Sequence, residues 1–188
     1  KINLSDTQVA EFLVSNQFPG VDIEPYFNRV YPHDASSVHA IGYVSRMNKK
    51  DKALYDKDNY SGTLFVGKVG IEKQYESLLH GQTGLKQIER NVSGRVVDTQ
   101  IIKPAMPGQD LYLSLDLDMQ KKAEELLKGK RGAIVVVDTR NGEVLTLVST
   151  PIFNPNWFVN GISHANYNFL QSSKDIPQLN RTIQGLYP

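Results

Sequence analysis

The chain contains no cysteine. That removes disulfides, thiolate nucleophiles and cysteine-ligated zinc from its chemistry, but it leaves the compartment open, because many secreted domains also lack cysteine. Charge of one sign is not in excess either: 21 Lys and Arg stand against 20 Asp and Glu. The basic residues are scattered, so the clustered Lys and Arg of a nucleic-acid footprint are missing. No apolar run approaches the ~18 residues of a membrane span, and no signal-peptide pattern is visible. Since the sequence starts at Lys1 and not at Met, an anchoring segment upstream is compatible with that start.

At 188 residues, 40% hydrophobic and 22% charged, the composition fits one ordinary domain or two small ones and argues against bulk disorder. Ser5 and Gln8 form a capping-box pair, with Leu4 and Val9 placed as a hydrophobic staple. Val9, Phe12 and Leu13 then predict one apolar helix face, stopped by Phe18-Pro19-Gly20. An extended segment is expected from Val21 to Tyr31, then a short helix over Ala35–His39 capped by Asp34. The polar stretch from Met47 to Ser61 reads as a short helix plus a mobile loop, with Lys49–Lys52 a solvated face.

Ile71, Tyr75, Leu78 and Leu79 fall at i, i+4, i+7 and i+8 and predict a helix buried on that face. Gly81 stands where a left-handed residue ends it. Strands are expected around Leu85–Arg90 and Arg95–Ile102, with a turn at Asn91–Gly94. Leu111–Leu115 alternates like a strand, and Asp116 or Asp118 can cap a helix with Met119, Ala123, Leu126 and Leu127 inward. The apolar run Ala133–Val137 has the pattern of a strand buried on both faces. Asn141-Gly142 signals a hairpin to Val144–Val148. A loop over Pro151–Asn156 and a helix near Ser163–Leu170 close the reading. The fold class is α+β. A buried two-stranded hairpin needs further strands or helices, so a continuation past the last residue is expected.

Motifs that carry chemistry are mostly near misses. Gly62–Val69 approaches a phosphate-binding loop, but Val69 replaces the hydroxyl that would hold magnesium, and Leu64-Phe65-Val66 is apolar. A strand entering the next helix is the better reading. His33, His39, His80 and His164 make no metal-ligand spacing. His33 with Asp34 reads as a surface pair, His39 as packed or capping, and His80 as a helix C-terminal residue favoured by the dipole. A serine nucleophile needs an activating neighbour, and Ser-x-x-Lys on a helix supplies one. No Lys here has Ser three residues before it, and Lys130-Arg131-Gly132 has Arg where a hydroxyl is required. Glu72 and Glu76 share a helix face that reads as solvated or salt-bridged. No catalytic, cofactor-binding or metal-binding residue can be named.

Read together, several segments resemble the class B penicillin-binding proteins, bacterial peptidoglycan D,D-transpeptidases. Arg29-Val-Tyr31-Pro32 is similar to that family's R-x-Y-P motif, followed by His39–Val44. Gly67-Lys-Val-Gly70-Ile71-Glu72 resembles its G-x-x-G-[IL]-E motif, continuing into Tyr75, Glu76, Leu79 and Gly81. Asn91–Arg95 also fits. Leu115-Asp116 through Gln120 looks like the entry to the transpeptidase helix. Asp138–Gly142 and Val144–Ser149 resemble the first hairpin of its sheet, with Thr139 and Asn141 departing from the commoner Pro and Thr. Phe18–Val21, His80–Gly84 and Val148–Pro151 look most like the elongation-specific branch. Asn180-Arg181-Thr182 and Gln184–Pro188 fit the lead-in to the catalytic helix, after which the family carries P-G-S-x-x-K.

The resemblance implies a pedestal over residues 1–110 and, over 111–188, the start of a transpeptidase domain ending before its catalytic helix. It implies a periplasmic enzyme, anchored by a single span outside these residues, that crosslinks peptidoglycan through an acyl-serine and is trapped by beta-lactams. The implied partners are stem peptides through the missing part, and the scaffold MreC and glycan polymerase RodA through the pedestal. The face carrying Glu72 and Glu76 with the adjacent strands, or the first helix, is expected to contact a protein partner. The alternative is a non-catalytic periplasmic scaffold or interaction module of the cell-wall elongation complex.

Overall fold

The computed structural model describes residues 4–15, 21, 23, 26–33, 35–94, 96–159 and 161–186. The chain begins with α1 (Asp6–Ser15), whose N-terminus carries the expected capping box: the Ser5 amide donates to Gln8 Oε1 at 2.9 Å and the Gln8 amide to Ser5 Oγ at 3.3 Å. Its apolar face is weaker than periodicity suggests. No α1 residue is buried, and Leu13 is 68% exposed. The stop at Phe18-Pro19-Gly20 and the cap at Asp34 lie outside the described residues. The helix expected over Ala35–His39 forms later, as α2 (Val38–Ile41) starting from a left-handed Ser37, after a turn in which the Ser36 amide donates to the His33 carbonyl.

Strands pair as three antiparallel ribbons of two strands each: β1 (Val44–Arg46) with β2 (Phe65–Gly67), β3 (Leu85–Arg90) with β4 (Val96–Lys103), and β5 (Gly132–Val137) with β6 (Val144–Thr150). Between β1 and β2 the polar stretch forms two short helices, α3 (Lys49–Leu54) and α4 (Lys57–Tyr60), not a helix and a mobile loop. The reason is local. Asn48 and Asp51 close a capping box, and Asp56 caps the second helix through the Asp58 and Asn59 amides. Asp51 is also ion-paired with Lys68, so this face is not simply solvated.

After β2 the predicted single helix splits into α5 (Gly70–Gln74) and α6 (Glu76–Leu79) at Tyr75, whose φ of −109° and ψ of 20° leave the helical region. The buried residues are Glu72 and Glu76, 4% and 6% exposed, whereas Tyr75 and Leu78 are 42% and 39% exposed. Apolar spacing therefore picked the wrong face, because specific hydrogen bonds draw the carboxylates inward. Gly81 does end the helix, with φ +73°.

Leu111–Leu115 pairs with no strand; it is an extended lead into α7 (Leu117–Leu126), which Asp116 caps. The inward residues of α7 are Gln120 and Ala123, not Met119 or Leu126, which are exposed. β5 alternates, with Val135 and Val137 nearly half exposed, so the continuous apolar run is covered on one face alone among the described residues. The β5–β6 connection closes with the Gly142 amide donating to the Asp138 carbonyl, and Gly142 takes φ +79°. The last elements are α8 (Asn156–Val159), α9 (His164–Ser172), the helix expected near Ser163–Leu170 and capped by Ser163, and α10 (Arg181–Gln184).

The core lies between segment 31–44 and segment 153–170. One cluster joins Val38 to Phe153, Phe158 and Leu170; the other joins Tyr31 and Val44 to Val159. Tyr43 touches both clusters and stacks on Phe158 with ring centroids 4.0 Å apart. Residues far apart in sequence thus make one apolar centre.

Candidate functional site: a buried polar seam

Three of the short sequence motifs meet in space. Arg29 grips the Glu72 carboxylate at two points, Nε to Oε1 at 2.9 Å and Nη2 to Oε2 at 3.1 Å. The Tyr31 hydroxyl donates to Glu72 Oε1 at 3.1 Å and accepts the Val44 amide at 2.9 Å. A fork on a carboxylate with a second donor is the arrangement that offsets the cost of burying the charge. Burial, and then the Glu72 carboxylate, push the Tyr31 hydroxyl well above the ordinary tyrosine range. It stays a proton donor at any physiological pH.

One turn on, Glu76 accepts the Gly67 amide at 2.8 Å. Burial raises its pKa against the opposing effect of that amide and of nearby His80. Gly67 itself permits the contact: a Cβ there would lie 2.1 Å from the Glu72 carbonyl oxygen. Gly70 is constrained similarly, with φ +63° and a Cβ position 2.6 Å from the Ala40 carbonyl oxygen. The glycines of the Gly67–Glu72 motif therefore bring α5 against β2 and α2, where a phosphate loop would need open backbone amides. The expected strand-to-helix entry is what forms there.

His80 closes α6 and stacks on Tyr60 at 3.9 Å, and Tyr60 stacks on Tyr55 at 4.6 Å. Its Nε2 lies 2.7 Å from Thr63 Oγ1, and its Nδ1 lies 3.3 Å from the Gly81 carbonyl, contacts satisfied by the tautomer protonated on Nδ1. Burial, then the Glu76 charge, push the Tyr60 hydroxyl up to about 12. A cavity of about 150 Å³ runs beside this cluster, lined by Phe27, Arg29, Glu76 and His80 among others. Bonded to Thr63 and stacked on Tyr60, the imidazole ring serves as a pin between α4 and α6.

A second set of polar contacts ties segment 31–43 to later parts of the chain. Asn156 exchanges two hydrogen bonds with the Tyr31 backbone, both 3.0 Å. Glu124 accepts Ser36 Oγ at 3.0 and 3.1 Å and the Ser37 amide at 3.1 Å. Asn180 Nδ2 donates to the His39 carbonyl at 3.0 Å. The His39 ring packs edge-on to Phe153, and burial lowers its pKa. Gln120, 1% exposed, holds both backbone groups of Leu147: its Nε2 donates to the carbonyl at 2.8 Å and its Oε1 accepts the amide at 2.9 Å. Gln120, Glu124, Asn156 and Asn180 carry this seam; the resemblance touched Gln120 in the Leu115–Gln120 segment and Asn180 in Asn180-Arg181-Thr182, and no composition or spacing signal marked Glu124 or Asn156.

His33 is exposed, His164 opens α9, and Arg131 of the Lys130–Gly132 stretch pairs with Asp175 at 3.3 Å. Among the described residues no three His, Asp or Glu side chains group as a metal site, and no helix is long and apolar enough to cross a membrane. Of the surfaces expected to meet a protein partner, the Glu72 and Glu76 carboxylates point into the molecule and are used there, whereas α1 and the β3–β4 strands are largely exposed.

Known proteins align with these features from end to end. The peptidoglycan D,D-transpeptidase MrdA of Acinetobacter baumannii is 48% identical over 189 residues, covering 100% of this chain and 28% of the relative. MrdA of Escherichia coli K12 is 47% identical over 193 residues, covering 100% of this chain and 30% of the relative. The chain thus spans under a third of the curated relatives it matches. Among solved structures, the complex of penicillin-binding protein PBP2 with MreC from Helicobacter pylori matches with a TM-score of 0.83 at 36% identity, over 97% of this chain and 34% of that one. A second structure of H. pylori PBP2 matches with a TM-score of 0.68 at 37% identity, over 86% of this chain and 30% of that one. Residues 1–113 match the penicillin-binding protein dimerisation domain, and the chain belongs to that family.

Proposed function

We propose that this chain is the non-catalytic front part of a peptidoglycan D,D-transpeptidase of cell elongation. The observation that carries the reading is the end-to-end match to MrdA relatives at close to half identity. In this reading residues 1–110 are the pedestal and residues 111–188 open the transpeptidase domain. The reacting serine and its lysine lie outside these residues, so no catalytic residue is assigned here. The serine attacks the penultimate D-Ala carbonyl of a donor stem peptide, D-Ala leaves, and an amine of a second stem resolves the acyl-enzyme; beta-lactams trap the same serine. The enzyme works on the periplasmic face of the inner membrane.

The pedestal receives a scaffold of the MreC type and a RodA-type glycan polymerase. The first is supported by the likeness to H. pylori PBP2 solved in complex with MreC. The test is labelling by a fluorescent penicillin. The full-length protein is expected to label stoichiometrically and residues 1–188 alone not at all. Absence of a Pro-Gly-Ser-x-x-Lys in the downstream reading frame, together with an unlabelled full-length protein, would favour the scaffold alternative.

A further inference from the structure

Segment 29–43 has two sides. Through Arg29 and Tyr31 it is fixed to Glu72 of α5, and through Asn156, Glu124 and Asn180 it is fixed to the later part of the chain. Asn180 stands out because its two amide ends do separate work. Oδ1 accepts the Thr182 amide at 3.2 Å and so caps α10, while Nδ2 donates across to the His39 carbonyl of α2. The same N-terminal end of α10 is also held by Ser149 of β6, whose hydroxyl accepts the Arg181 amide at 3.0 Å and donates to the Leu179 carbonyl at 3.1 Å. α10 is therefore clamped between β6 and α2.

We propose that Asn180 is a positioning residue: its bond to the His39 carbonyl latches α10 to α2, so that a displacement of the 29–43 segment is carried into the start of the catalytic domain. The Asn156 and Glu124 bonds and the Val38–Phe153 core hold the segment to the later chain, and Asn180 is the side chain that extends this tie to α10 itself. The last step rests on the proposed function, in which the catalytic helix follows α10.

Asn180→Asp separates the two roles, because a carboxylate keeps the cap acceptor but cannot donate to a carbonyl. Asn180→Ala removes both. The measurement is hydrogen exchange of the full-length protein over residues 36–43 and 173–184, with the rate of fluorescent-penicillin acylation beside it. One hydrogen bond of ordinary net strength corresponds to roughly a tenfold change. Asn180→Asp is expected to speed exchange roughly tenfold in both segments, leave β3–β4 unchanged and slow acylation by a similar factor. Faster exchange confined to residues 173–184, or none, would show that Asn180 is a local cap and overturn the latch. Faster exchange in both segments with normal acylation would overturn its link to the active site. A wild-type full-length protein that is not acylated at all would sink the proposed function, while the exchange data would still decide the latch.

Discussion

The β3–β4 ribbon and the 29–44 segment invert the usual link between regular structure and core. The ribbon's β4, at eight residues, is the longest strand among the described residues, yet every residue of it is exposed, including Ile101 at 73% and Val97 at 64%. Its order comes from a local ladder running from Leu85↔Lys103 to Arg90↔Val96. The 29–44 segment has one four-residue helix and little other regular structure, but it contributes Tyr31, Val38 and Val44 to the core and anchors the polar seam. Regular backbone hydrogen bonding and burial are separate properties. An isolated two-stranded ribbon is marginal in water, and this one continues at its base into a bridge in which Gln82 and Met106 exchange backbone hydrogen bonds, both 2.9 Å.

That contrast can be broken most severely at Gly67. Gly67→Ala places a Cβ against the backbone of Glu72 and is expected to cost about 4 kcal/mol or more, at the extreme for a single substitution, seen as loss of a cooperative urea transition. Glu72→Ala leaves Tyr31 and the guanidinium without their acceptor. Since Arg29 is 40% exposed and regains water, the expected loss is about 3 kcal/mol, the low end for breaking a buried pair, measured by chemical denaturation.

Tyr31→Phe keeps the ring but orphans the Val44 amide and one Glu72 contact. A loss of about 2 kcal/mol is expected, falling to about 1 kcal/mol in a Glu72→Ala background, where the hydroxyl has lost its acceptor and keeps only the Val44 amide as a partner. A calorimetric double-mutant cycle that returned simple additivity would contradict a single connected seam.

Alkali tests the same region without mutation. Tyr60 ionises at about 10 in the unfolded chain and about 12 in the folded one, and Tyr31 is raised in the same direction. A raised tyrosine contributes stability that is fully present below the unfolded value and disappears as pH climbs through the folded one. The melting temperature should therefore fall between about pH 10 and 12, and Tyr60→Phe should flatten that fall. The smallest effect is expected in the ribbon: Ile101→Thr, at an exposed strand position, should change stability by less than about 0.5 kcal/mol. A larger loss would mean that the ribbon face is covered after all.

How much was legible from residues alone follows this divide. The capping box at Ser5, the Asp116 cap, the left-handed Gly81 and the β3–β4 hairpin were all readable, because each is decided within a few residues. Faces were not. Glu72, Glu76 and Gln120 are buried where periodicity favoured Tyr75, Leu78 and Met119, since a carboxylate or amide goes inward wherever the fold supplies its partners, and those partners are distant in sequence. The family resemblance marked Arg29, Tyr31 and Glu72 as belonging together, but not that they touch.

The sequence by itself determined the α+β alternation, most cap and turn positions, and the absence of Ser-x-x-Lys and cysteine chemistry from these residues. The tertiary structure alone decided that the Glu72 carboxylate is an internal clamp and that Asn180 reaches α2 across 141 residues of chain. Caps and turns are short-range bonds that each stretch of chain can satisfy for itself. A buried charge or amide is tolerable only where a remote donor or acceptor meets it, and that meeting exists only once the chain has folded.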